Sequence, residues 1–244
     1  MVKKIRKKPM LRAGSVILLG VVLLAGVLLL SGKEQRDETG EMIDATMEAL
    51  RTQCVNYNEI LTANGPLRLT LPIHYHVQNL NEIQIAADSA CIEKMIKTLW
   101  MEYKGAADFH EAFPVIEDLL YHAPDAKNLA EFNTKCLLTL ADKFGLASRI
   151  QFINSSDLPI TQRRDARIIE MCGLLGAKVY VSGSGAKDYH IEEDYVRAGI
   201  DLVYSDYQPL TYPQVGKPAT ENMSVIDYVL NCGFNLPKEW KRYE

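Results

Sequence analysis

From Arg149 onward the sequence alternates between short apolar runs and helical patterns, and this alternation constrains the fold more than any other feature. Residues 149–153 predict a strand, 162–175 a helix stopping at Gly176, and 178–181 (KVYV) a second strand. Residues 191–198 predict a helix ending at Gly199, and 201–204 a third strand. Glycine ends helices because it enters the left-handed region without a Cβ clash. Short links between alternating elements favour crossovers, so the expected class is α/β, a largely parallel sheet with packed helices. Upstream, 67–73 (LRLTLPI) predicts a strand meeting Pro72, and Asp88 or Ser89 caps a helix carrying Ile92, Met95, Ile96, Leu99 and Tyr103. Further helices are expected near 110–121 and 127–144, the second ending at Gly145. Ser224 and Asp227 have capping-box spacing at the start of a last helix, which Gly233 ends.

The N-terminus differs in kind. Ala13–Leu30 is an uncharged apolar run of 18 residues. As a helix it would reach about 27 Å, enough for a bilayer core. Six basic residues precede it (Lys3, Lys4, Arg6, Lys7, Lys8, Arg12) and no acidic one. The positive-inside rule therefore predicts a single-pass anchor with a cytoplasmic N-terminus and favours the main domain outside, whereas free cysteines argue for a cytoplasmic domain. A cleaved signal peptide is the competing reading, but no clear small-residue cleavage site ends the run. The expected organisation is a basic flank (1–12), a membrane helix (13–30), a linker with a short amphipathic helix (31–54) and an α/β domain (55–244). Beyond the flank the chain is strongly acidic, which excludes an electrostatic footprint for nucleic acid. The five cysteines are widely spaced and odd in number, as expected of buried free thiols rather than a disulfide framework.

Candidate chemistry clusters after the predicted strands. Gly183 and Gly185 follow KVYVS, but Asp188 stands where a dinucleotide fingerprint needs its third glycine. A nucleotide cradle is thereby excluded on spacing. The turn either serves only to reverse the chain or places Ser182 and Tyr189 against a ligand at the strand's C-terminal end. Asn154, Ser155 and Ser156 follow the preceding strand and suit either a neutral polar ligand such as a sugar or a helix cap. Tyr204, Tyr207, Tyr212 and Gln214 form an aromatic, hydrogen-bonding stretch that suits stacking on sugar rings or ordinary packing. His74 and His76 share a face if extended, but no third ligand lies at readable spacing, so no metal set is assigned. Whether a cofactor takes part is left open by the sequence.

The stretch LGAKVYVSGSGAKDY, then AGIDLVYSDY, YPQ and MSVIDYVLNCG, resembles the WbqC-like family of bacterial surface-polysaccharide and O-antigen gene clusters. IQFINSSDL, CIEKMIKTLWMEYKGAADF and NEILTANGPLRLTLPI resemble further family blocks, so the likeness covers roughly residues 55 to 233. The resemblance places Ser182, Gly183, Gly185 and Tyr189 on the family's strand-glycine motif. It places Tyr207, Tyr212 and Gln214 on its aromatic loop, and Ser224, Asp227 and Asn231 on its final helix. It implies an α/β domain that transfers an acyl, aminoacyl or related group to a sugar or lipid-linked glycan. In that reading Asp227 and Tyr189 are the catalytic candidates. Ser155, Ser156, Ser182, Gly183, Gly185, Tyr207, Tyr212, Gln214 and Asn231 then bind substrate.

The chain departs from the family pattern in three places. The family's asparagine-arginine run is Asn56-Tyr57-Asn58-Glu59 here, and Cys91 and Met95 stand where tryptophan and histidine are expected. The family's opening strand is replaced by the apolar segment and linker, so the sheet must close differently or expose an edge. Arginine and histidine are the groups best suited to hold an anionic donor or move a proton. Their loss motivates the alternative of a catalytically silent relative that binds glycan or a partner protein.

Overall fold

The computed structural model describes residues 56–74, 82–148, 151–183, 186–188, 190–204, 209–215 and 219–237, without the side chain of Ser156. The apolar segment, the linker and the short helix expected at 42–52 lie outside the described residues. No helix among those described is long and apolar enough to cross a membrane. The described residues form two compact units, one within 155–207 and the other from 56–154 with 208–237.

The larger unit begins with a hairpin. Strand β1 (Tyr57–Thr62) pairs antiparallel with β2 (Gly65–Thr70), Thr62 opposite Gly65. Sequence reading found β2 but not β1, whose polar YNE start masks the buried Ile60 and Leu61. The turn is tied by Thr62, whose hydroxyl donates to the Gly65 carbonyl and accepts from Asn64 N–H. Three helices follow: α1 (Ser89–Tyr103), α2 (Phe109–Tyr121) and α3 (Leu129–Lys143). Asp88 caps α1, accepting from Cys91 N at 2.8 Å, and Asn128 caps α3, accepting from Glu131 N at 2.9 Å. Asn128→Ala should cost about 1 kcal/mol, read from urea unfolding midpoints. The core gathers Ile92, Ile96, Leu99 and Tyr103 of α1, Phe109, Phe113 and Ile116 of α2, and Leu129 and Phe132 of α3.

The last helix of this unit, α6 (Val225–Cys232), starts at Ser224, which accepts from Ile226 N at 3.2 Å. It ends at Gly233, where φ is 66 and ψ −165. That backbone region is open essentially only to glycine, and an added Cβ would also lie 3.0 Å from Asp108 Oδ1. Gly233→Ala should therefore cost about 1–3 kcal/mol, seen as a lowered melting temperature.

In the smaller unit, α4 (Arg164–Leu174) precedes β3 (Val179–Ser182), and α5 (Glu192–Arg197) links β3 to β4 (Asp201–Tyr204). The strands pair in parallel with Ser182 opposite Tyr204. Gly176 and Gly199 end the helices at positive φ, as their positions in sequence suggest. A small core of Cys172, Ala177, Tyr180, Tyr195 and Ile200 lies beneath, with the Tyr180 and Tyr195 rings stacked.

The chain is thus mixed α/β, but its described strands form two separate two-stranded sheets. Among the described residues, parallel pairing is present in β3–β4 alone. Of the strand expected at 149–153, residues 149 and 150 lie outside the description, and 151–153 form no strand. RIQFI has β-propensity, yet propensity yields to whatever partner the tertiary structure offers. Cys91, Cys136, Cys172 and Cys232 are free thiols, but only Cys172 is buried as expected; the other three are half-buried.

Candidate functional site

Each unit holds a polar cluster among its described residues. In the larger unit the cluster centres on Asp227, which is fully buried. Its Oδ2 accepts from the Tyr103 hydroxyl and, at 3.3 Å, from Leu61 N. Its Oδ1 accepts from the Tyr212 hydroxyl at 2.7 Å and from Gln214 Nε2 at 3.0 Å. Burial pushes both phenols well above the ordinary tyrosine range, and the hydrogen-bonded Asp227 carboxylate adds to the effect. Both hydroxyls therefore stay protonated and available as donors.

The capping-box role read from the Ser224–Asp227 spacing is not formed. Ser224 N donates instead to the Glu59 carbonyl at 2.7 Å, and Asp227 turns inward. Together these bonds close the outer edge of β1. Glu59 and Leu61 point their backbone groups away from β2, where a further strand would pair. Ser224 N–H takes the carbonyl, and Asp227 with the Tyr103 hydroxyl takes the Leu61 N–H.

The other sequence candidates of this unit are engaged in the same way. Gln214 donates to the Thr220 carbonyl and accepts from Thr220 N. Asn231 accepts from Val215 N at 2.8 Å and donates to the Asp227 carbonyl. Tyr212, Gln214, Asp227 and Asn231 are thus brought together, with their polar groups bonded inside the protein. Tyr207, Gly185 and Tyr189 lie outside the described residues, as does the side chain of Ser156.

The smaller unit holds a different arrangement. Ser182 Oγ lies 3.0 Å from His190 Nε2, and His190 Nδ1 lies 2.7 Å from Asp165 Oδ1. Strand β3 delivers Ser182 at its C-terminal end, and Gly183 follows immediately. Helix α4 delivers Asp165 in its first turn, just after Arg164, whose backbone is left-handed at φ 52. Such a backbone is costly for a side chain with a Cβ, and strain of this kind collects at functional sites. Asp165 also accepts from Ile191 N at 2.7 Å and from the Tyr195 hydroxyl at 3.1 Å. With two donors already fixed on this carboxylate, the His190 tautomer that fits carries its proton on Nδ1 and leaves Nε2 to accept from Ser182.

Burial works against the charge on Asp165, but the hydrogen bonds from Ile191 N, His190 and Tyr195 outweigh it and hold the carboxyl below its usual range. A folded-state pKa below the unfolded one means that the ionised form stabilises the fold. That contribution is complete above the unfolded value of about 3.9 and is lost as pH falls through the lower folded value. Acid melts should show the loss below about pH 4, and Asp165→Asn should flatten that limb.

Tyr204 completes the cluster. It sits opposite Ser182 on β4, its ring is 6.1 Å from that of His190, and its buried hydroxyl has no partner among the described residues. Ser155 lies in the same unit, in a turn at 155–157, where its hydroxyl accepts from Arg167 at 3.5 Å. Sequence reading singled out Ser182 but neither Asp165 nor His190. The available signal was a serine at a strand end before glycine, with a histidine at the far side of the same turn.

A serine hydroxyl, an imidazole and a carboxylate in hydrogen-bonded series have the arrangement of the Ser–His–Asp constellation, which other proteins use for acyl transfer on several unrelated folds. The larger unit, by contrast, holds a carboxylate enclosed by donors.

Comparison with known proteins places the whole chain. An uncharacterized protein of Mycobacterium tuberculosis, Rv1507c, is 25% identical over 193 residues, covering 77% of this chain and 81% of the relative. No solved structure matches. The model of the WbqC-like protein family matches residues 43–239, across both units, and the chain belongs to that family.

Proposed function

We propose that the protein is an acyl-type group transferase in which Ser182 is the nucleophile, acting on a sugar of a bacterial surface-polysaccharide precursor. The observation that carries the chemistry is the Ser182–His190–Asp165 series at 3.0 and 2.7 Å. His190 Nε2 would take the hydroxyl proton as Oγ attacks the carbonyl of an activated ester or thioester donor. The leaving group would depart with that proton, and the acyl group would remain on Ser182. A sugar hydroxyl would then attack the acyl-serine, with His190 again accepting the proton and returning it to Ser182. Asp165 would hold the imidazole tautomer and stabilise the imidazolium. The Tyr204 hydroxyl, without a partner among the described residues, is a donor of the type that stabilises a tetrahedral oxyanion.

The sugar acceptor and the polysaccharide context rest on the family resemblance. The apolar Ala13–Leu30 segment would hold the domain at a membrane, where lipid-linked glycan is at hand. With the domain outside, nucleotide-activated donors would be absent. A reporter fused after Glu244 tests that side: activity in the outer compartment supports it, and cytoplasmic activity reverses it.

A fluorophosphonate probe tests the nucleophile. Labelling that disappears in Ser182→Ala and His190→Ala supports it. Absence of labelling in the folded wild-type protein favours the second reading, a silent glycan- or partner-binding relative. That reading draws on one observation: Ser182 is 4% exposed and the His190 side chain 7%, so a substrate must uncover the hydroxyl before it can react.

A further inference from the structure

Tyr195 is a fully buried phenol at the Ser182 cluster that the chemistry above leaves without a task. Its hydroxyl lies 3.1 Å from Asp165 Oδ1 and 3.1 Å from His190 Nδ1, at the junction of carboxylate and imidazole. Packing fixes it there. The Tyr195 ring stacks on that of Tyr180 with 6° between the planes, and the His190 ring stands at 86° to one and 88° to the other. Burial, with the charge of Asp165 adding to it, holds the phenol far above the ordinary tyrosine range. The hydroxyl therefore keeps its one proton, which can go to only one of the two neighbours.

The tautomer that serves Ser182 carries a proton on Nδ1, so the phenol donates to Asp165 Oδ1. That oxygen then receives two donors, Tyr195 and His190 Nδ1–H, while Oδ2 receives Ile191 N. Each donor stabilises the ionised carboxylate and makes it a weaker base. A weaker base pulls less on the Nδ1 proton and gives the imidazolium less stabilisation. The remaining groups about His190 do not compete. Ser182 and Tyr180 come from β3 and Tyr204 from β4. Burial raises Tyr180, and burial followed by the charges of Glu192, Asp165 and Asp188 raises Tyr204, so both phenols stay neutral. Lys187 Nζ lies 5.4 Å from the centre of the Tyr204 ring, not on the imidazole. Among the described residues, Asp165 is the one charged group bonded to His190. We propose that Tyr195 is a positioning residue of this site, whose hydroxyl shares Asp165 Oδ1 with His190 and keeps Nε2 free to accept from Ser182 at lower pH than Asp165 alone would allow. The inference rests on the reading of His190 as the base of Ser182.

The test follows the histidine directly. With ¹³C-labelled histidine in the full-length chain, each imidazole Cε1–H signal is tracked against pH, and His190→Asn identifies the one that belongs to His190. In Tyr195→Phe the midpoint of that signal should lie about 0.5–1 pH unit higher, because the carboxylate has lost a donor. The acid limb of fluorophosphonate labelling at Ser182 should move up with it. A phenol that serves packing alone would lower the melting temperature on removal and move neither. 3-Fluorotyrosine placed at position 195 keeps the ring and is a stronger donor, so it should move the midpoint below that of the wild type. This arm decides even if Tyr195→Phe fails to fold. A midpoint that stays or falls in folded Tyr195→Phe, or that the fluorinated phenol leaves in place, overturns the proposal. A wild type that the probe does not label removes Ser182 as the nucleophile, and the titration still decides for or against Tyr195.

Discussion

Asp227→Ala should lower the stability of the larger unit by about 3 kcal/mol or more, because several buried donors lose their shared acceptor at once. For a chain of this size that is a fall of about 6–12 °C in melting temperature. The hydroxyls of Tyr103 and Tyr212, the Gln214 amide and Leu61 N–H all converge on this carboxylate. Two of these have a second partner. Leu61 N–H also meets the Tyr103 oxygen, and Gln214 also reaches Thr220. The phenols do not share that insurance, so Tyr212→Phe in the Asp227→Ala background should recover part of the loss. Asp227→Asn keeps one acceptor oxygen and should fall between wild type and alanine. Parallel thermal and urea melts of these variants measure the series. An Asp227→Ala protein as stable as wild type would remove the anchoring role.

Ser182→Ala should reduce turnover by about 10³-fold or more while leaving the melting temperature within a few degrees. Losing the hydroxyl removes one donor to His190, a small structural change beside the loss of the bond-forming atom. His190→Ala should cost a similar factor, and the double variant little more than either single one. Residues acting as one unit are strongly non-additive. Independent contributions that multiply would argue against a shared chemical step. Tyr204→Phe separates a catalytic phenol from a packing one. It should lower kcat more than it raises KM, with the ring packing retained.

Most helices were legible because their ends are chemically marked. Asp88 and Ser224 at the starts, and Gly145, Gly176, Gly199 and Gly233 beyond the ends, are signals written in adjacent residues. Strand β4 was read at its observed bounds, since DLVY sits between Gly199-Ile200 and a polar segment. The sites were harder for the same reason. Asp227 lies at capping-box spacing from Ser224, and nothing local says that Tyr103, distant in sequence, will meet it instead. Asp165, Ser182 and His190 come from a helix, a strand and a loop, so their meeting is a product of the fold and not of any motif. Strand β1 was missed because its inward face is matched by the buried side of α1 and α6 rather than by clean alternation along the strand.

The closed outer edge of β1 also bears on how the chain behaves among copies of itself. An unpaired strand edge is a template for another chain, and aggregation by edge-to-edge addition is its usual hazard. Here the N-terminus of α6 and one carboxylate occupy two of the backbone groups that such an intruder would use, the Glu59 carbonyl and the Leu61 N–H. Removing Asp227 should therefore lower solubility as well as stability. Turbidity and thioflavin fluorescence of Asp227→Ala should rise below its own melting temperature, while Gly233→Ala, which leaves that edge covered, stays clear.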